Sequence, residues 1–290
     1  MRDVSLALLP GLAIFAVTYG PRVFLHLATA CAMAVIAEIA CLRFRGITWT
    51  EAASQPKDGS ALVTALLIAA AVPPAASPLI TGLAALFAIG LGKHAFGGLG
   101  QNLFNPAMVG YTVVLVSFPA AFALWPAGLD GATGATMLDV FKHDDGRTLA
   151  ELAGHPALGE IGAAGFEDAA IGYLVGGLFL LWRGHIAWRI PVGVLLVVAL
   201  ITVFLWDGGG SQSLGTPLQQ WFTGGLMLAA FFVATDPVTH PRSRRGQWAF
   251  GAMVGAIIMA IRAGGSYPDG IAFAILLGNA VTPWLDRRFP

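Results

Sequence analysis

Residues 21–42 read PRVFLHLATACAMAVIAEIACL, with Arg22 near one end, Glu38 near the other and His26 between them. As an α-helix the run rises about 33 Å at 1.5 Å per residue, enough to cross the ~30 Å hydrocarbon core of a bilayer. An amphipathic helix of a soluble domain would carry a polar stripe every three to four residues, and none is present. The stretch therefore reads as a transmembrane helix. Nine more apolar runs lie to either side, giving ten predicted spans at 4–20, 21–42, 59–73, 79–91, 106–125, 169–182, 190–206, 218–235, 248–261 and 270–285. The third, fourth, sixth and ninth are short, and short or broken spans often border a binding site in transporter-like folds.

Composition agrees. Charged residues make up 11% of the 290-residue chain and hydrophobic residues 57%; soluble domains carry roughly 25% charge. The formal net charge is zero, which argues against a nucleic-acid partner. Cys31 and Cys41 fall in one predicted helix, about 15 Å apart along its axis, too far for a disulfide. No metal-ligand motif is present, and no cleavable signal is read at the start.

Charge asymmetry sets the orientation. With the N-terminus inside, Arg2, Arg43, Arg45, Lys57, Lys93, Arg183, Arg189, Arg242, Arg244, Arg245, Arg287 and Arg288 fall inside; Arg22, Lys142, Arg147 and Arg262 fall outside. Both termini are then cytoplasmic. The longest hydrophilic stretch, 126–168, lies outside and carries Asp130, Asp139, Asp144, Asp145, Glu151, Glu160, Glu167 and Asp168. A connection of that length points to a functional loop. A weak repeat relates Pro74, Pro78, Gly92 and Pro106 to Pro237, Pro241, Gly255 and Asp269. The expected fold is thus an all-α polytopic membrane protein in two inverted five-helix repeats: a first membrane repeat at 1–125, a loop at 126–168 and a second repeat at 169–290.

Three polar runs could carry chemistry. In the first, residues 92–106, Gly92, Gly97, Gly98 and Gly100 permit close approach to a ligand. Gln101, Asn102 and Asn105 supply amides, and Phe96 and Phe104 supply flat faces. A planar heterocycle would suit it; a re-entrant turn that satisfies its own backbone accounts for it equally well. The second run, residues 130–139, sets Thr133 and Thr136 among small residues in the outer loop; a plain turn with Asp130 and Thr133 bonding local backbone also fits. The third, residues 235–248, places Asp236 and His240 before Arg242, Arg244 and Arg245, which suit lipid phosphates or a partner subunit. Glu38, five residues from Arg43, reads as an ion-paired or snorkelling acid.

Together with Asp58-Gly59-Ser60-Ala61, Thr133-Gly134-Ala135-Thr136, Thr235-Asp236-Pro237, Arg245-Gly246-Gln247-Trp248 and Tyr267-Pro268-Asp269-Gly270, these runs resemble the D subunits of Rnf electron-transport complexes. They also resemble the related B subunits of sodium-pumping NADH:quinone oxidoreductases. The D type fits better because the chain starts directly at its first helix. The resemblance implies ten helices in two inverted halves and a flavin mononucleotide (FMN) esterified through its phosphate to Thr136; Met137 departs from the usual proline or threonine after the motif. It further implies a noncovalent riboflavin, for which Asn102, Asn105, Phe104 and Gly98 are the candidate contacts. No catalytic or metal-binding residue is expected. The implied role is an electron carrier in an ion-translocating ferredoxin:NAD⁺ oxidoreductase coupled to Na⁺ or H⁺ transport. The setting is the bacterial inner membrane with the flavin loop periplasmic. Expected partners are the other membrane, flavin and iron–sulfur subunits, a flavin transferase for maturation, and membrane lipids. With no NAD motif and no cluster ligands, the chain should have no complete activity alone. A stand-alone channel or secondary transporter is the alternative class.

Overall fold

A computed structural model describes residues 1–123, 125–126, 133–134, 136–143, 146–211, 213–267 and 269–290. Asp130, Ala135, Asp144, Asp145 and Pro268, singled out above, lie outside the described residues. The described chain is helical apart from a short antiparallel pairing of β1 (Trp125–Pro126) with β2 (Thr133–Gly134). The first part contains α1 (Arg2–Tyr19), α2 (Arg22–Phe44), α3 (Trp49–Ser54), α4 (Ser60–Ala71), α5 (Pro78–Phe87), α6 (Pro106–Ser117) and α7 (Pro119–Ala123). The acidic loop holds α8 (Met137–His143) and α9 (Leu149–Leu152). The second part contains α10 (Glu167–Trp182), α11 (Arg189–Phe204), α12 (Pro217–Trp221), α13 (Leu226–Leu228), α14 (Arg244–Gly264) and α15 (Ile271–Arg288).

Helix starts follow capping chemistry. Ser77, Asn105, Thr216 and Ser243 each accept a hydrogen bond from a first-turn backbone N–H, and prolines occupy the first helical positions of α5, α6 and α12. Both devices answer the unpaired N–H groups of a helix start. Among the described residues, four helical segments are long and apolar enough to cross a membrane: Arg2–Tyr19, Arg22–Phe44, Pro78–Phe96 and Arg244–Gly264. Ser60–Ala71, Pro106–Ser117 and Arg189–Phe204 are shorter apolar helices. Large apolar side chains such as Val17, Phe24, Leu79 and Phe204 are exposed, as lipid-facing residues should be. The chain is a multi-pass membrane protein.

Small residues set the packing. A Cβ on Gly176 of α10 would lie 1.9 Å from the Ala7 carbonyl of α1, and one on Gly110 of α6 would lie 2.0 Å from the Ala84 carbonyl of α5. Gly251 and Gly255 of α14 stand in the same relation to Ile190 and Val194 of α11, at 2.7 Å each. Close backbone approach replaces the hydrophobic drive that lipid cannot supply. The pairs α1·α10, α2·α5 and α11·α14 form the main contacts, followed by α14·α15, α2·α4 and the packing of α6 on α5 and its extension.

Several expected spans are corrected. The run 79–91 is not short: α5 continues through a π turn, Ala88–Lys93, and a 3₁₀ turn, His94–Phe96. The run 248–261 is extended at both ends by Ser243 capping and a late stop at Gly265. The run 106–125 breaks at Phe118, whose backbone leaves the helical region (φ −131°, ψ 53°) just before Pro119; a residue before proline is pushed out of the helical region. The run 218–235 breaks between α12 and α13, where Gly224 has φ +61°, and then continues as a π turn, Ala229–Val233.

Candidate functional site

The loop motif and the apolar helices meet at a cavity of about 530 Å³, within the ~300–1,000 Å³ of small-molecule sites. Its walls are mostly apolar and include the rings of Phe15 of α1, Tyr111 of α6, Phe122 of α7, Trp125, Phe166, Tyr173 of α10 and Tyr267. These rings hold one another edge-on or tilted, with Tyr111–Phe122 centroids 5.3 Å apart and Trp125–Phe166 centroids 4.7 Å apart. One corner is polar, formed by Thr223, Gly224, Gly225 and Asp269, and Thr136, Asp139 and His143 stand at the rim. The Tyr173 hydroxyl, on the wall, is buried and has no hydrogen-bond partner among the described residues. An unpaired buried hydroxyl carries a desolvation cost, which a ligand with a polar edge would relieve.

Thr136 is half-buried and caps α8. Its backbone N–H and its hydroxyl both donate to Asp139 Oδ2, at 3.2 and 2.8 Å, and its Oγ1 accepts from the Asp139 N–H at 3.3 Å. Thr136 thus has a carboxylate against its hydroxyl, a contact absent from the expectations above. The Thr133 side chain and Asp130 lie outside the described residues. Lys142 does not point a free ammonium at this site; it donates to the carbonyls of Ile261 and Tyr267 at 2.9 Å each. Burial holds its pKa below the usual lysine range, against an opposing pull from Asp139 and Asp269. This clasp ties α8, and Thr136 with it, to the end of α14.

The same corner rests on Arg262, which the charge count placed in an exposed loop. It is 2% exposed. Nη1 donates to the carbonyl and the Oε1 of Gln220 at 2.9 and 2.8 Å, and Nη2 donates to the Thr223 carbonyl at 3.1 Å. Nη2 and Nε also bond the Asp269 carboxylate at 3.2 and 3.3 Å. The break between α12 and α13 frees carbonyls, and the planar guanidinium fork meets several at once. The signal available in the sequence was an arginine ending an apolar run seven residues before Asp269.

The Gly-rich turn behaves differently. Gly97, Gly98 and Gly100 take φ of +118°, +109° and +81°, so the glycines are needed by the turn itself. Asn105 caps α6 through Oδ1, which accepts from the Met108 N–H at 3.2 Å; its amide donates to Asp236 Oδ2 at 3.2 Å, and its backbone N–H donates to Asn279 Oδ1 at 2.9 Å. Asp236 is held by Asn105 and by the Val238 N–H. Asn102 donates to the Phe104 carbonyl at 3.0 Å, and Phe104 packs edge-on to Phe96 at 5.8 Å. Asn102 borders a groove of about 1,410 Å³, but Asn105, Phe104 and Gly98 do not. Through Asp236 and Asn279, Asn105 joins the two parts of the molecule.

Glu38 is buried and paired, though not with Arg43. Lys93 Nζ lies 2.7 and 2.8 Å from its two oxygens and also donates to Ser60 Oγ at 2.8 Å, while His94 Nε2 is 3.1 Å from Oε1. Arg43 instead bonds the Ile47 carbonyl and stacks over Trp49. No group of three or more His, Cys, Asp or Glu suited to a metal ion occurs among the described residues.

The sequence matches the NQR2, RnfD, RnfE family over residues 1–290. It is 45% identical to the D subunit of the ion-translocating oxidoreductase complex of Pseudomonas aeruginosa, over 99% of this chain and 88% of that protein. The proteins of the same name from Sodalis glossinidius and Citrobacter koseri are 41% and 36% identical, each over 99% of this chain and 91% of theirs. With a membrane fold, the family's loop motif at an aromatic cavity and similarity along the whole chain in hand, the chain belongs to the NQR2, RnfD, RnfE family.

Proposed function

We propose that this chain is the D-type membrane subunit of an Rnf-type ion-translocating oxidoreductase and carries FMN as a phosphoester on Thr136. The observation that carries the flavin reading is the position of Thr136 on the rim of an aromatic cavity of about 530 Å³. The residues fit the group. A tricyclic ring has flat walls to lie between, the orphan Tyr173 hydroxyl offers a hydrogen bond to a polar ring edge, and the hydroxyl at the mouth supplies the anchor. FMN, once attached, accepts and donates electrons. This chain's part is to hold it, exclude water and set its surroundings. Tyr111, Phe122 and Trp125 shield the slot, Asp139 orients the Thr136 hydroxyl, and Arg262 and Asp269 fix the polar corner. A separate flavin transferase attaches the group. The complete reaction, with Na⁺ or H⁺ transport, belongs to the assembled complex.

The architecture proposed is ten spans in two inverted repeats of five, at 1–125 and 169–290, flanking the flavin loop. It is supported by equivalent neighbours in the two parts: α2 lies along α5 as α11 lies along α14, and α5 meets α6 as α14 meets α15. Both termini are placed in the cytoplasm and the loop in the periplasm of a bacterial inner membrane. Burial of Lys93 and Arg262 removes one cation from each side and leaves the charge asymmetry in place. A noncovalent riboflavin is proposed beside the glycine-rich turn, with Asn102, Asn105, Phe104 and Gly98 as its contacts.

Mass spectrometry of the chain co-expressed with a flavin transferase tests the flavin reading. One FMN phosphodiester on the peptide containing Thr136 is expected. A purified wild-type chain without covalent flavin would favour the channel class instead. For orientation, an impermeant thiol reagent should label Glu151→Cys in intact cells and Lys57→Cys only after lysis, with Cys31 and Cys41 replaced.

A further inference from the structure

We propose that the groove at the start of α14 binds the phosphate of an acidic phospholipid. The groove, about 1,410 Å³, runs between the Gly100–Leu103 turn, the segment before α14 and the end of α15. Arg242, Arg244, Arg245 and Arg288 all line it and all are exposed. Among the described residues the side chains of Arg242, Arg244 and Arg245 make no hydrogen bond or ion pair, and Arg288 only approaches the Phe289 ring at 5.8 Å. The acid lining the groove, Asp286, accepts from the Arg242 backbone N–H at 2.9 Å. Four guanidinium groups thus line one opening whose only acidic side chain is Asp286 among the described residues, in a chain whose total charge is zero.

A further observation points to an anion. The 21-residue α14 begins here, with Ser243 as its cap, so its positive dipole end adds to the arginines. The depth of the groove then selects a lipid as the source. Trp248 lies one turn along α14 from Arg244, and Trp284 lies one turn before Arg288 on α15; both are exposed, at 36% and 54%. Trp188 packs edge-on against Trp248 at 5.6 Å. Exposed tryptophans mark the headgroup level of a membrane, and arginines at that level attract anionic headgroups. Leu103, Val238 and Phe289, also in the lining, offer apolar contact to the glycerol and upper acyl chain.

Native mass spectrometry of the full chain and of the purified complex, each in mixed nanodiscs of phosphatidylglycerol and phosphatidylcholine, tests this. Wild type should retain phosphatidylglycerol selectively, and Arg244→Gln with Arg245→Gln should lose roughly tenfold or more in retention. Arg288→Gln supplies an independent single change, with an expected loss of several-fold. Equal retention of the two lipids, or retention unaffected by both variants, would overturn the assignment. Displacement of the lipid by millimolar inorganic phosphate would move the site to a soluble phosphate. Retention by the isolated chain but not by the complex would assign the groove to a partner subunit.

Discussion

Two cations, Lys93 and Arg262, are buried at the C-terminal ends of α5's extension and of α14, and they are used in opposite ways. Lys93 ends in a closed pocket, where its ammonium meets both oxygens of Glu38 and the Ser60 hydroxyl. Arg262 ends beside an open cavity, and most of its donors go to Gln220 and Thr223 at a broken helix. The lysine site balances one charge with another far away in sequence. The arginine site repairs a backbone interruption and, through Asp269, shapes the corner of the ligand cavity. Two parts of a membrane protein can share helix packing and still diverge at the end of the same kind of span, because one end is sealed and the other borders a cavity.

The strongest test of that contrast is Thr136→Ala. It should abolish covalent flavin seen by in-gel fluorescence, whereas Lys93→Met with Glu38→Leu should leave the flavin attached. A fluorescent Thr136→Ala band would detach the cavity from the flavin. Thr133→Ala should keep the bond.

Glu38→Leu alone leaves a buried, unpaired ammonium and should cost about 3–5 kcal/mol, read by denaturant unfolding in detergent. Combining Glu38→Leu with Lys93→Met should recover most of that loss. A double variant as unstable as the single would mean that the pair is more than self-compensating charge.

Arg262→Lys keeps the charge and loses the fork. An expected cost of about 1.5–3 kcal/mol, the worth of a hydrogen bond to a charged group, should come with a lower flavin yield at equal expression. Unchanged yield would separate the broken helix from the cavity. The smallest effect is expected at Gly90→Ala in the π turn before Lys93, where an added Cβ meets nothing within 4 Å. Its stability should stay within about 1 kcal/mol of wild type, whereas Gly110→Ala, 2.0 Å from the Ala84 carbonyl, should cost about 1–3 kcal/mol.

Much of the fold was legible in the chain because a bilayer leaves few options. Long apolar runs must be helices, since only a helix satisfies its own backbone in lipid, and capping residues such as Ser77, Asn105 and Ser243 are local signals. Thr136 was legible only through the family resemblance of its short motif. The pairing of Glu38 with Lys93, 55 residues away, was not, because an ion pair between helices leaves no periodic trace. Nor was the aromatic cavity, whose walls come from α1, α6, α7, α10 and two loops, each ring looking like ordinary apolar filler in its own segment. Asn105 shows the limit most directly: a glycine-rich turn with amides suits a ligand and a helix cap equally, and only the tertiary structure brings Asp236 and Asn279 to it from the far part of the chain. Sequence alone determined the membrane class and the helical elements, because hydropathy and capping act over a few residues, while only the family resemblance pointed to Thr136. Tertiary structure decided which charges are sealed, which carbonyls need an arginine and where a ring can lie, because those depend on distances between segments that the chain order does not encode.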